Sequence, residues 1–335
     1  MTFGTNAASP WLMAEIGVNH DGDVGRARDM IRQAADAGFD AVKFQYWIVD
    51  ELLAPSAPNA AYQGDGDQHD LLARLRLDLD QLATLRDVAC DAGVAFVCTP
   101  DGERACADVL ELDPPVLKIG SGDADNPWLL HAAAKSGRPL LVSTGMMTDA
   151  EVKEVGRYLA ACREVVFLHC VSAYPTPLRE ANLARMARLR ELTGRPVGFS
   201  DHTLGAAAAA AAVALGAGVV EKHVTWNVDA PGPDHTASLA LRDAPEWVTT
   251  VRAVAGAAHE PVASAAESAN RDVVRKGLYP RRPLDAGHRL CRDDLVPLRP
   301  VDGGVPALAV DRLVGWRLRV AVGSDRPLRW EDLEP

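Results

Sequence analysis

From Trp11 to about Ala258 the chain alternates between short, almost uninterrupted apolar runs and longer stretches of helical period. The apolar runs are residues 11–16, 41–45, 95–99, 116–119, 139–143, 165–169, 197–200 and 218–223. Between them, stretches such as 24–37, 79–92 and 150–161 space their apolar residues three and four apart, as an amphipathic helix does. Runs without polar alternation predict parallel strands buried on both faces. Eight strand–helix units predict an α/β fold, most simply a closed (β/α)8 barrel. A doubly wound open sheet is the alternative, but no glycine-rich dinucleotide fingerprint follows the first strand. Gly38, Gly93 and Gly137 each end a helical stretch, where a left-handed residue turns the chain toward the next strand.

Beyond residue 258 the pattern changes. Residues 259–272 lack strong periodicity and read as a linker between a barrel domain (1–258) and a compact tail (273–335). The tail is rich in Arg, Pro and Gly and carries a weak internal repeat. Arg282-Pro283-Leu284-Asp285 leads to Arg292-Asp293-Asp294-Leu295, and Arg326-Pro327-Leu328 leads to Trp330-Glu331-Asp332-Leu333. Two related turn-and-strand units predict a small, pseudo-symmetric β-rich domain.

Composition narrows the functional classes. The 335 residues carry a formal charge of −11 with no basic run, which argues against nucleic acid as a partner. No apolar run approaches a membrane span: the longest, 206–220, is mostly alanine and broken by glycine. No basic leader precedes the first strand, and six cysteines without a CxxC pair sit in apolar segments. Reduced, buried thiols in a cytoplasmic protein are therefore expected.

The chemistry-bearing residues cluster just after the predicted strands, which in a barrel converge on one face. His202 and His223 each close an apolar run, with Asp201 and Asp234 nearby. Two imidazoles completed by water or substrate oxygens suit Mn²⁺ or Mg²⁺ better than a closed zinc site. The competing reading is two satisfied histidines at strand ends. Lys43 and Lys118 lie inside strands, where a charge needs a partner. Either a structural carboxylate such as Glu15 or an anionic ligand would supply one, with Ser121 and Ser143 as further donors. Glu15 itself is either a general acid/base or that lysine partner.

The segments AEIGVNHDG (14–22), DAVKFQ (40–45), LKIGSGD (117–123), LVSTGM (141–146), LHCVSAYPTP (168–177), GFSDHTLG (198–205), EKHVT (221–225) and PGPDH (231–235) resemble the sialic acid synthase family, the phosphoenolpyruvate-condensing N-acetylneuraminate synthases. The tail, with Leu298-Arg299-Pro300 and a closing WEDLE (330–334), is similar to the small antifreeze-like (SAF) domain that ends these synthases. The resemblance implies condensation of phosphoenolpyruvate with an N-acyl-hexosamine to a nine-carbon 2-keto acid and phosphate. It implies His202 and His223 as ligands of a divalent metal, Mn²⁺ first, with Mg²⁺ or Co²⁺ as alternatives. Lys43, Lys118, Ser121, Ser143 and Ser200 would contact phosphoenolpyruvate, and Ser172 would bind substrate. Gln45, Asp123, Tyr174 and Asp234 would hold the sugar, and Glu15 would handle protons. It further implies a domain-swapped homodimer in which Arg299 reaches the partner's sugar site.

Departures from the family pattern fall on loops that shape a sugar pocket. They are Val171-Ser172, the Asp101-Gly102 pair where an aromatic is common, Asp302-Gly303-Gly304 after Arg299-Pro300, and residues 50–68 beyond Tyr62-Gln63. They leave the acceptor open among N-acetylmannosamine and legionaminic- or pseudaminic-type sugars. A Schiff-base aldolase using Lys118 or Lys43 is the alternative enzyme, and a sugar- or anion-binding protein the non-enzymatic one.

Overall fold

The computed structural model describes residues 7–54, 68–259 and 264–335. Tyr62-Gln63 and residues 260–263 of the expected linker lie outside the described residues. The chain forms two compact units, Met1–Glu260 and Pro261–Pro335.

In the first unit the strands are β1 (Trp11–Gly17), β2 (Ala41–Trp47), β3 (Ala95–Asp101), β4 (Leu117–Ile119), β5 (Leu140–Ser143), β6 (Val165–His169), β7 (Val197–Asp201) and β8 (Val219–Thr225). All pair in parallel in chain order, and β1 pairs with β8, so the sheet closes. A short ninth strand, Leu239–Ala240, pairs in parallel with the end of β8. The expected barrel is the observed one, with strand ends shifted by at most two residues.

Helices cover the outside of the barrel for local reasons. Asp23 accepts from Gly25 N at 2.7 Å and opens Val24–Asp36. Reciprocal capping boxes, Asp78 with Gln81 and Thr148 with Glu151, open Leu79–Asp91 and Asp149–Tyr158. Gly38, Gly93 and Gly137 take the left-handed conformation, with φ of +91°, +76° and +70°. The alanine-rich helix Ala207–Ala214 buries Ala208, Ala209, Ala212 and Val213. Among the described residues no helix is long and apolar enough to cross a membrane.

The barrel interior is layered, and the layering follows from the two-residue period of a strand. Met13, Ala41, Val97, Val116, Leu141 and Val219 pack in one apolar cluster inside the barrel. Two residues further along the same strands stand Glu15, Lys43, Thr99, Lys118, Ser143 and Glu221, all buried. Another two residues on come Gln45, Asp101, Gly120 and His223, which line an open cavity. The interior therefore changes from oil to charge within one side-chain spacing, at the carboxyl ends of the strands.

The second unit begins with a helix, Ala265–Val274, inside the stretch expected to be a linker. Ser264 caps it by accepting from Glu267 N at 3.2 Å, and none of its residues is buried. Its apolar residues are mostly alanine and span under three turns, too weak a signal to read as a helix from periodicity. The internal repeat is real in three dimensions. Leu284 and Val322 exchange backbone hydrogen bonds of 2.9 Å. Asp294 accepts from Cys291 N at 3.0 Å, and its counterpart Asp332 accepts from Arg329 N at 2.8 Å. Each aspartate thus closes a turn that feeds a strand, Leu295–Leu298 or Leu333–Glu334. Burial of thiols holds for Cys98, Cys106 and Cys170 but not for Cys90 and Cys291, which are exposed. Cys90 lies just past the buried Ala89 on its helix, at the solvent side.

Candidate active site at the barrel mouth

A cavity of about 710 Å³ opens at the carboxyl ends of the strands. Its floor is a buried charge network. Lys43 Nζ lies 2.8 Å from Glu15 Oε1 and donates to Thr99 Oγ1 at 3.0 Å. Glu221 stands between the two lysines, 3.6 Å from Lys118 Nζ and 4.0 Å from Lys43 Nζ, and accepts from Ser200 Oγ at 3.0 Å. Gln45 Nε2 donates to Glu15 at 2.8 Å.

Burial and neighbours set the charge states. Burial pushes the Glu15 carboxyl up to about 7, a rise that Lys43 opposes only in part and to which Glu221 adds repulsion. Burial also works against the Glu221 charge, but Lys118 and Lys43 outweigh it and hold the carboxyl down at about 2. The Lys43 amine loses solvation, yet Glu15 and Glu221 more than restore its charge and raise it. Lys118, with a longer ion pair, is lowered by burial. The floor thus presents cations whose partners an incoming anion could share.

The two histidines stand together at the rim, with ring centroids 5.3 Å apart and planes at 62°. Burial lowers both from the usual imidazole range, and His223 also feels His202. The His202 ring donates from Nδ1 to the carbonyl of Val171 at 2.7 Å, which leaves Nε2 as a lone-pair donor. His223 Nδ1 is buried without a hydrogen bond, 3.5 Å from Asp234 Oδ2. Two neutral imidazoles with free lone pairs fit a divalent cation that keeps water or substrate oxygens as its other ligands. Among the described residues no group of three or more His, Cys, Asp or Glu side chains is placed to hold a metal alone.

The cavity collects most of the predicted side chains. Glu15, Lys43, Gln45, Lys118, Ser121, Ser143, Ser172, Tyr174, Ser200, His202, His223 and Asp234 all line it. Tyr174 packs on His202 with centroids 4.2 Å apart. Burial raises the Asp234 carboxyl to about 6. Gly145 N donates to Ser121 Oγ at 3.0 Å, and a methyl on Gly145 would collide with Ser121, Ser172 and Cys170. That glycine keeps open the space between the three side chains.

Two expectations end elsewhere. Asp123 does not line the cavity; its carboxylate accepts from Gly102 N at 2.7 Å and fixes the turn after β3. Asp201, expected beside the histidines, points out of the barrel, because β7 places Ser200 and Asp201 on opposite faces. It pairs there with Lys222 Nζ at 2.9 Å and accepts from Thr203 N at 2.8 Å. Arg299 belongs to the second unit, exposed just after Leu295–Leu298. Conversely, Glu221 and Thr99 line the cavity although sequence reasoning gave neither a contact there, and Asp101, expected only as part of a pocket-shaping loop, lines it as well. Their positions two residues beyond apolar interior residues are the signal that finds them.

A closed parallel barrel whose mouth gathers two lysines, serine hydroxyls and two neutral imidazoles defines a (β/α)8 protein with a polar, cation-bearing pocket at the carboxyl ends of its strands. Residues 30–262 match the NeuB family, and residues 275–334 match the SAF domain. The chain belongs to the NeuB family. It is 35% identical to an N,N'-diacetyllegionaminic acid synthase of Legionella pneumophila, over 97% of this chain and 94% of that one. It is 32% identical to the N-acetylneuraminate-9-phosphate synthase of Mus musculus, over 97% and 92%. Among solved structures it resembles a putative spore coat polysaccharide biosynthesis protein E from Chromobacterium violaceum. That match has a TM-score of 0.82 and 26% identity, covering 98% of this chain and 100% of that one.

Proposed function

We propose that the protein is a nonulosonic acid synthase that condenses phosphoenolpyruvate with the open-chain form of an N-acyl-hexosamine, giving a nine-carbon 2-keto acid and phosphate. The observation that carries this reading is the adjacency of a two-lysine floor to a pair of neutral imidazoles. One half suits a small dianion, and the other suits the carbonyl it must attack. Synthases of legionaminic and sialic type among the relatives support the same chemistry.

Lys43 and Lys118 balance the phosphate and carboxylate charges of phosphoenolpyruvate, and Ser121, Ser143, Ser172 and Ser200 donate hydroxyl hydrogen bonds to it. A divalent cation on His202 and His223, Mn²⁺ for preference, supplies Lewis acidity toward the acceptor aldehyde and a site for water. Gln45 orients Glu15, whose carboxyl, raised to about 7, is partly protonated at neutrality and stands to protonate the aldehyde oxygen as C3 of phosphoenolpyruvate bonds to the carbonyl carbon. Water then adds at C2, and the C2–O bond breaks to release phosphate. Tyr174 and Asp234 bound the acceptor side of the cavity.

The same reading makes the protein a homodimer whose SAF units are exchanged, with Arg299 gripping the acyl group in the partner's site. Six free cysteines support a reducing, cytoplasmic setting. One observation favours the Schiff-base alternative: the lowered Lys118 amine. Borohydride trapping with pyruvate tests it. The primary test is phosphate release from phosphoenolpyruvate. Release that requires the hexosamine and stops in chelator supports the proposal; release indifferent to both rejects it.

A further inference from the structure

Between β8 and the ninth strand the chain leaves the barrel for residues 226–238 and carries Asp234 back to the cavity. Its turns are local: Ala230 N donates to Asn227 O at 3.3 Å, and Ala237 N donates to Asp234 O at 3.2 Å. Side chains of the turn after β1 tie this stretch to the barrel, and the condensation chemistry gives them no task.

The first tie is Asn19, which is fully buried. Its Nδ2 donates to Val224 O at 2.9 Å, near the end of β8, and to Ser238 Oγ at 2.9 Å. Ser238 Oγ in turn donates to Asp234 O at 2.6 Å. One amide group thus spans the two ends of the excursion and reaches the Asp234 backbone through a single hydroxyl.

The second tie is His235, also fully buried. Its Nε2 donates to Asp21 Oδ1 at 3.0 Å, since a carboxylate can only accept. Its Nδ1 lies 2.7 Å from Thr225 Oγ1. Asp21 is held from behind: Arg26 pairs with its Oδ2, and the same guanidinium lies over Trp226, 4.5 Å from the ring centroid. Gly232 passes directly over the His235 ring, where a methyl would stand 2.6 Å from Cδ2. The loop can therefore sit on this contact only with glycine there.

The two ties bracket Asp234, whose Oδ2 lies 3.5 Å from His223 Nδ1. Apolar side chains of similar size would fill the same space, but a satisfied polar network fixes direction as well as volume. Resting on the condensation reading above, in which Asp234 bounds the acceptor side, we propose that Asn19 and Asp21 are positioning residues for the acceptor. They lock the 226–238 loop to the turn after β1, so that the Asp234 carboxylate keeps its place beside His223.

The test uses the full-length protein with phosphoenolpyruvate, Mn²⁺ and N-acetylmannosamine. Asn19→Ala should raise the acceptor KM about tenfold and leave that of phosphoenolpyruvate within about twofold. Asp21 has a φ of +53°, so Asp21→Gly removes the carboxylate without straining the backbone. It should act like Asn19→Ala, whereas Asp21→Asn, whose Oδ1 still accepts from His235, should stay within about threefold of wild type. In an Asp234→Ala background Asp21→Gly should add less than about twofold to the acceptor KM, because its effect passes through Asp234. An unchanged acceptor KM in folded Asn19→Ala and Asp21→Gly proteins, or effects that simply multiply with that of Asp234→Ala, overturn the proposal. Ser238→Ala, which cuts the link from Asn19 to Asp234 O, replaces Asn19→Ala if that variant does not fold, with the same expected KM split and the same overturning result.

Hydrogen–deuterium exchange decides the point without turnover. Peptides covering 227–238 should exchange at least about tenfold faster in Asn19→Ala or Ser238→Ala than in wild type, with β4 to β6 unchanged. Equal exchange overturns the proposal. Faster exchange in a protein that releases no phosphate with any hexosamine supports the ties and sinks the condensation reading alone.

Discussion

Replacing Lys222 by Met isolates the part of this region that serves the fold and not the chemistry. Lys222 and Asp201 are almost fully buried, 2.9 Å apart, outside the barrel interior. Met fills a similar volume but leaves the Asp201 carboxylate with two donors, Thr203 N and Thr203 Oγ1, and no counter-charge. Breaking a buried pair in this way costs about 3–5 kcal/mol. For a unit of this size each kcal/mol moves Tm by roughly 2–4 °C, so the transition should fall by about 6–20 °C in a calorimetric scan. Adding Asp201→Asn removes the stranded charge while its Oδ1 still accepts from Thr203, and should recover at least about half the loss. The KM for phosphoenolpyruvate should stay at the wild-type value in whatever remains folded, because neither side chain lines the cavity. A drop under about 2 °C, or a double variant weaker than the single one, would refute the assignment of this pair as a structural ion pair.

Other outcomes follow from the same geometry. Gly145→Ala places a methyl among Ser121, Ser172 and Cys170; it should raise the KM for phosphoenolpyruvate at least about tenfold with little change in Tm, and an unaffected KM would remove those hydroxyls from the anion site. Glu15 titrates in the folded state at about 7, above the ordinary glutamate value of 4.5. The folded state therefore binds more protons than the unfolded one across that interval, and the wild type loses stability as pH rises from 4.5 to 7. Urea midpoints of wild type and Glu15→Gln should diverge in the variant's favour over that window; parallel curves would contradict the raised carboxyl. Arg299→Ala should raise the acceptor KM far more than that of phosphoenolpyruvate, and an unchanged acceptor KM would leave the second unit with a purely structural role.

The barrel was legible because continuous apolar runs of this length pack in few ways except as buried parallel strands, and its turns because glycine marks the left-handed positions at 38, 93 and 137. Within the site, the residues that could be found from sequence are those whose type is costly at its position: lysines 43 and 118 and Glu15 inside strands. Direction was harder. Asp201 and Lys222 look as reactive as Ser200 and His223, and only strand register separates the outward pair from the inward one. Counting from the apolar interior layer resolves this, and it would also have promoted Thr99, Asp101 and Glu221. Asp123 follows its strand in a turn, where the two-residue period no longer applies, so its commitment to Gly102 N could not be read in advance. The helix Ala265–Val274 escaped because it is short and its apolar face is mostly alanine, a weak periodic signal.

The proposed chemistry requires that His202 and His223 jointly hold a cation next to a lysine-lined anion pocket. Anomalous diffraction from crystals grown with Mn²⁺ and phosphoenolpyruvate addresses this in one experiment. The expected result is a manganese peak shared by His202 Nε2 and the His223 ring, with the phosphate of phosphoenolpyruvate seated toward Lys43 and Lys118. Phosphoenolpyruvate bound there with no peak between the two rings, or a peak elsewhere, would contradict it.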